Sequence, residues 1–207
     1  MTIKTSRQLK DKIKNLSGGD FAKSQMLLRK YIMERFLARI SVSEYKNNFI
    51  LKGGMLVSAV LGKDARSTMD IDTTIRHLPI NLDDAKIIVT KIMKIELDDG
   101  ILYEIVRIED IMEEHDYSGV RITLKAHIDG IKETIKIDIS TGDEITPFAI
   151  QFSYNMMFDQ GNISILSYNL ETLFAEKLET VLARNTANTR MRDFYDIHIL
   201  WREKMTK

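Results

Sequence analysis

Two aspartates one residue apart, Asp70 and Asp72, stand in the run Met69-Asp70-Ile71-Asp72-Thr73-Thr74-Ile75. Its alternation of acidic and apolar residues, with β-branched support, predicts a strand over 69–75. Residues two apart on a strand project from one face, so both carboxylates stand side by side. Like charges so placed repel unless a cation joins them. Hard oxygen pairs suit magnesium, which is typically held by one or two carboxylates together with substrate phosphates. A solvated strand face is the plain alternative, because exposed acids are common.

Three neighbours weigh against the plain alternative. Asp138 lies in Ile135-Lys136-Ile137-Asp138-Ile139, on the face opposite the isoleucines, and would bring a third carboxylate if that strand pairs beside 69–75. Lys52-Gly53-Gly54 closes the short apolar run Phe49-Ile50-Leu51 just before a helix expected over 55–61. Paired glycines let backbone N–H groups approach a phosphate, and a helix N-terminus favours the anion. Arg66-Ser67-Thr68, just ahead of Asp70, adds a cation and two hydroxyls within reach of a phosphate tail.

The elements that must position these groups read as follows. The first segment, 1–46, is helical: Thr5 or Ser6 caps a charged stretch ending near Leu16, and Ser17-Gly18-Gly19-Asp20 stops it and caps a second helix. Met26, Leu27, Tyr31, Met33, Phe36, Leu37 and Ile40 then recur at helical spacing, giving one face that packs on the body. The middle segment, 47–168, holds the strand pieces, with a helix over 81–97 capped by Asn81 and strands near 102–108, 119–128, 133–139 and, more weakly, 163–166. His127 to Ile131 reads as a hairpin turn. Two helices, 169–184 and 190–204, form the last segment, 169–207. Strands in the middle and helices at both ends indicate one α+β domain over 1–207.

On the first of those last helices Leu170, Phe174, Lys177 and Val181 share a stripe, so Lys177 interrupts an apolar face and needs a partner for its charge. A nucleotide phosphate would serve; a Lys stem snorkelling over the core is the alternative. Asp193 and Asp196 are neighbours on the second helix, in a turn shared with Arg190 and Arg192. Capping and ion pairing would also account for them. The cluster Lys177, Arg184, Arg190 and Arg192 could meet RNA phosphates or pair with Glu176, Glu179 and Asp193.

Composition narrows the classes. The 207 residues balance 30 Lys and Arg against 30 Asp and Glu, which argues against a general nucleic-acid coat protein. With no cysteine there is no disulfide framework, thiolate metal site or thiol nucleophile, in keeping with a cytoplasmic chain. No apolar run approaches the ~20 residues of a membrane span. His77, His115, His127 and His198 show no metal-ligand spacing, and P-loop and Gly-x-Ser-x-Gly patterns do not occur.

The ordered set of Gly53-Gly54, fifteen intervening residues, Asp70-Ile71-Asp72 and Ile137-Asp138-Ile139 resembles the nucleotidyltransferase superfamily. With Ala175-Glu176-Lys177-Leu178 and Arg192-Asp193-Phe194-Tyr195-Asp196-Ile197 added, the chain resembles the AbiEii/AbiGii toxin family within it. The resemblance implies a nucleotidyltransferase fold, a mixed sheet flanked by helices. It further implies transfer of NMP from an NTP, with GTP bound by some relatives, to an acceptor hydroxyl, for which a tRNA 3′ end is the leading candidate. The chain would be a toxin neutralised by a cognate antitoxin.

Carried onto this sequence, the resemblance gives Asp70, Asp72 and Asp138 to two Mg2+ ions, and Lys52, Gly53, Gly54, Arg66, Thr68 and Lys177 to phosphate. Asp70, Asp72, Lys177 and Asp193 form its catalytic set, with Asp196 as the substitute for Asp193. Transfer to a protein or small molecule, or nucleotide binding without turnover, are the rival readings.

Overall fold

Capping chemistry starts the chain's first two helices. In the computed structural model, which describes residues 3–62, 68–78, 80–112, 118–158, 161–184 and 191–205, helix α1 (Ser6–Ser17) opens with a capping box between Thr5 and Gln8. It stops at Gly18, whose φ of 63° suits a residue without a Cβ. Asp20 caps α2 (Phe21–Val42) by accepting from the Lys23 N–H.

The expectation that α2 buries one face is corrected. Tyr31 to Ile40 are buried on every side, because this half of the helix lies between other helices and the sheet. The charges it carries inward are matched. Arg35 and Arg39 share the Asp99 carboxylate at 2.8 Å, and Arg39 also reaches the Ile101 carbonyl. Glu34 accepts from the Tyr154 hydroxyl and the Met157 N–H. Burial works to raise the Asp99 pKa, but hydrogen bonds and charge from Arg39 and Arg35 win and hold it below the ordinary carboxylate value.

The strands are β1 (Phe49–Lys52), β2 (Asp70–Ile75), β3 (Leu102–Met112), β4 (Ser118–Ile128), β5 (Ile131–Thr141), β6 (Ile150–Asn155) and β7 (Asn162–Ser167). Between and after them come α3 (Gly53–Leu61), α4 (Leu82–Met93), α5 (Leu170–Arg184) and α6 (Met191–Leu200), with a π-helical turn at Trp201–Met205. All seven strands form one mixed sheet in the order β3-β4-β5-β2-β1-β7-β6. The pairs β2/β5 and β1/β7 are parallel and the rest antiparallel. This is the α+β architecture that the distribution of strand and helix patterns implies.

Three differences from the sequence reading have local causes. Helix α4 ends at Met93, short of the expected 97. Strand β3 runs on to Met112 because it pairs along all of β4. Strand β6 has no counterpart in the sequence reading: its pattern is mostly exposed, and it is an edge strand whose sheet neighbour is β7.

Periodicity explains which face of the sheet is buried. Val120, Ile122, Leu124 and Ala126 of β4 and Ile135, Ile137 and Ile139 of β5 all point to the side covered by α2 and α4. The polar residues between them point to the other side. That second face carries Asp70 and Asp72.

Candidate active site

Register fixes the site's layout. Asp72 of β2 lies directly opposite Asp138 of β5 on one side and Lys52 of β1 on the other, while Asp138 lies opposite Arg121 of β4. Opposed residues share a face, so four adjacent strands present the row Arg121, Asp138, Asp72, Lys52. Asp70, opposite Lys136, stands one step along the same face.

The two inner carboxylates sit in an unfavourable field. Burial, then the charge of Asp138, raises Asp72 to about 7, against which Lys177 works. Asp70 is raised for the same two reasons, partly offset by Arg121, Lys136 and Arg29. Asp138 is instead neutralised by Arg121, whose guanidinium forms a fork at 2.7 and 2.6 Å. Hydrogen bonding to Asp138 first, and its charge, raise the Arg121 pKa in turn.

Gly53 and Gly54 form the first turn of α3 rather than a loop ahead of it. The Gly54 N–H donates to Asp72 Oδ2 at 3.2 Å. The anion at this helix N-terminus is therefore the Asp72 carboxylate itself, a favourable place for it. Thr68 donates to the Asp70 carbonyl at 3.2 Å. Arg66, and Ser67 beside it, lie outside the described residues.

Lys52 lies beside Asp72 in register, but its ammonium is directed elsewhere. Nζ is 2.7 Å from Asp143 and 3.2 Å from Glu176, and the residue is buried. Asp143 also accepts from Ser140 at 2.9 Å and from Tyr168 at 2.5 Å. Burial acts to raise Asp143, but Lys52 and the two hydroxyls hold it below the ordinary carboxylate value. Lys52 thus ties the end of β1 to the β5 exit and to α5.

Lys177 does turn inward, and its charge is met within the chain. Its Nζ is 2.9 Å from Asp193 and 3.7 Å from Asp196, both buried on α6. The acidic pair three apart on α6 and the Lys on α5 are therefore one cluster, and the effect of Lys177 on Asp72 brings it into the field of the β2 carboxylates.

Sequence reasoning missed Arg121, Asp143 and Tyr168. Arg121 had a usable signal, a cation alternating with Val120 and Ile122 on a strand; Asp143 had only its position just past a strand end.

Asp70 and Asp72 fit a divalent cation: they are adjacent hard oxygen donors on one strand face, raised by burial first and then by the charge of Asp138. Asp138 lies opposite Asp72 on the same face, with its carboxylate engaged by the Arg121 fork. Among the described residues, no group of three or more His, Cys, Asp or Glu is placed to hold a metal ion. Among the same residues, no helix is long and apolar enough to cross a membrane.

Comparison with known proteins agrees with this fold. Two solved structures share the fold. JHP933 from Helicobacter pylori is 17% identical, with a TM-score of 0.56 over 88% of this chain and 68% of that one. A second H. pylori protein, assigned as a nucleotidyltransferase, is 20% identical, with a TM-score of 0.55 over 88% of this chain and 70% of that one. No curated protein matches the chain significantly. Residues 35–207 match the family model described as "Nucleotidyl transferase AbiEii toxin, Type IV TA system". A nucleotidyltransferase fold, the carboxylate pair on β2 and that match together make the chain a member of the AbiEii family, the nucleotidyltransferase toxins of type IV toxin–antitoxin systems.

Proposed function

We propose that the chain transfers NMP from an NTP to a hydroxyl at the 3′ end of tRNA, with magnesium held by Asp70 and Asp72. The observation that carries this reading is the pair of adjacent carboxylates on one face of β2, with Asp72 in the field of Lys177. Divalent cations there would stabilise charge on both the attacking and the leaving oxygen. In the transfer, the acceptor oxygen bonds to the α-phosphorus, the bond to the bridging oxygen breaks and pyrophosphate leaves with that electron pair. The hydroxyl proton goes to solvent or to a carboxylate of the site.

The chain's own groups divide the remaining work. Lys177 meets the triphosphate from α5. Asp193, its nearer partner, orients that ammonium, and we assign it this role in preference to proton transfer because one of its oxygens already receives Lys177. Asp196, at 3.7 Å, gives secondary support to the same ammonium. Gly53 and Gly54 hold Asp72 in place and leave the start of α3 facing the phosphates. Thr68 fixes the backbone at Asp70. Asp138 joins the metal ligands if Arg121 releases it. GTP is the first nucleotide to try. The partner implied by the family is an antitoxin, and a cytoplasmic location goes with a tRNA acceptor.

The test is incubation of purified protein with magnesium, each α-labelled NTP in turn and total RNA, beside Asp70→Ala. Label on tRNA-sized RNA that the variant fails to add is the expected result. Label on protein alone would move the acceptor to a side-chain hydroxyl. Nucleotide binding without any label would leave a module that acts without turnover.

A further inference from the structure

The chain is neutral overall, yet its charge is segregated. Residues 1–30 contain eight Lys and Arg against two Asp and no Glu. This surplus sits in α1 and the first turns of α2, which lie outside the 35–207 family match. Only two of the eight are spent on ion pairs among the described residues, Lys4 with Asp98 and Arg29 with Glu133. Arg7, Lys10 and Lys14 follow one another at spacings of three and four on the exposed side of α1, opposite buried Leu9 and Ile13, so they form one stripe.

Two further observations suggest what such a stripe would meet. Phe21, at the tip of the α1–α2 hairpin, is 77% exposed and stands in sequence between Lys14 and Lys23. An open aromatic ring among cations is how proteins receive single-stranded bases and their backbone. At the strand end Arg29 links the two faces: it pairs with Glu133 on the side covered by α2, its Nη1 is 3.3 Å from the Met69 sulfur and its charge acts on Asp70, while Lys23 lies about 9 Å further back along α2.

We propose that the N-terminal helical hairpin, through Arg7, Lys10, Lys14, Lys23 and the Phe21 ring, is a docking surface for the sugar–phosphate backbone of an RNA whose end is presented at Asp70. The inference rests on the reading of RNA as acceptor, but it concerns binding and can be measured apart from transfer. Docking here supplies affinity without sequence choice, because phosphate contacts position a nucleic acid and do not read it.

The experiment uses the full chain and a labelled tRNA transcript ending in its 3′ single strand. Fluorescence anisotropy at 50 to 200 mM KCl is compared for wild type, for Arg7→Gln/Lys10→Gln/Lys14→Gln, for Phe21→Ala, and for Lys86→Gln/Lys94→Gln as a charge control on α4. All substituted side chains are exposed, so folding is retained and checked by melting. The triple variant is expected to flatten the dependence of log affinity on log salt by about 2 to 3, since each lost contact removes roughly 0.7 to 0.9. It should also raise KM for RNA about tenfold with KM for NTP within twofold.

Phe21→Ala should weaken binding without changing the salt slope, and the control should match wild type. An unchanged slope and KM in the triple variant, with RNA still labelled by wild type, would overturn the docking surface and leave the transfer reading standing. RNA binding that depends on the stripe, without RNA labelling, would uphold the surface and overturn the acceptor. Binding to phosphatidylserine vesicles but not to RNA, lost in the triple variant, would reassign the stripe to a lipid surface and overturn the proposal.

Discussion

The Asp72 carboxylate occupies the space that a side chain at Gly53 would need. A Cβ on Gly53 would come within 2.1 Å of Asp72 Oδ2 and 2.6 Å of its Cγ, at a residue whose φ is 64°. Conformation and space therefore both demand glycine. Gly53→Ala should cost about 1–3 kcal/mol of stability from the backbone alone and displace Asp72. Transfer should fall at least about 100-fold while the variant still melts cooperatively; wild-type turnover would show that Asp72 has room to move.

The raised pKa of Asp72 has a definite sign in stability. Its folded value of about 7 lies above the ordinary 3.8. The unfolded chain thus loses this proton first as pH rises, and the metal-free protein loses stability between about pH 4 and pH 7, by up to about 4 kcal/mol. Urea melts of the metal-free protein should show this slope, and Asp72→Asn should lack most of it. Adding Mg2+ at pH 6 should release protons, measurable as a buffer-dependent binding enthalpy, because the ligand must be ionised to bind.

Lys177 holds two buried acids. Lys177→Met removes this ammonium from Asp193 and Asp196, which should cost about 3–5 kcal/mol. Lys177→Arg should recover most of the stability in a thermal melt. If the ammonium also meets the triphosphate, the Arg variant should still show a KM for NTP raised several-fold.

Asp143 offers the opposite pH test. Its folded pKa lies below the ordinary value, so its contribution is present above about pH 4 and fades as the solution becomes more acidic. Asp143→Asn should be less stable than wild type by roughly 3 kcal/mol at pH 7, and the difference should shrink by pH 3. A constant gap across that range would mean that the loss is steric.

Much of the site was legible because it lies in short, strongly patterned stretches. The period of two in 69–75 and 135–139 places Asp70, Asp72 and Asp138 on polar faces, and a lone Lys on the apolar stripe of 169–184 marks Lys177 as partnered. What stayed hidden depends on pairing between distant segments. Nothing near Lys52 indicates that its ammonium bypasses Asp72 for Asp143, 91 residues away. The fork from Arg121 to Asp138 requires knowing that β4 and β5 pair in that register. Strand β6 escaped notice because an edge strand with exposed side chains has little periodicity to read. The all-round burial of α2 reflects neighbours on every side, which its own sequence does not carry.

The row Arg121, Asp138, Asp72, Lys52 draws one residue from each of four strands, and Lys177 and Asp193 come later still in the chain. Closing such separated contacts is slow and cooperative, since the entropy of each loop is lost before its contacts form. A growing chain must be made past Asp193 before Lys177 can find its partner, and the sheet must pair through β5 before Asp72 meets Asp138. The carboxylate face and its Lys177 contact are therefore complete only once the chain through Asp193 has been made and folded.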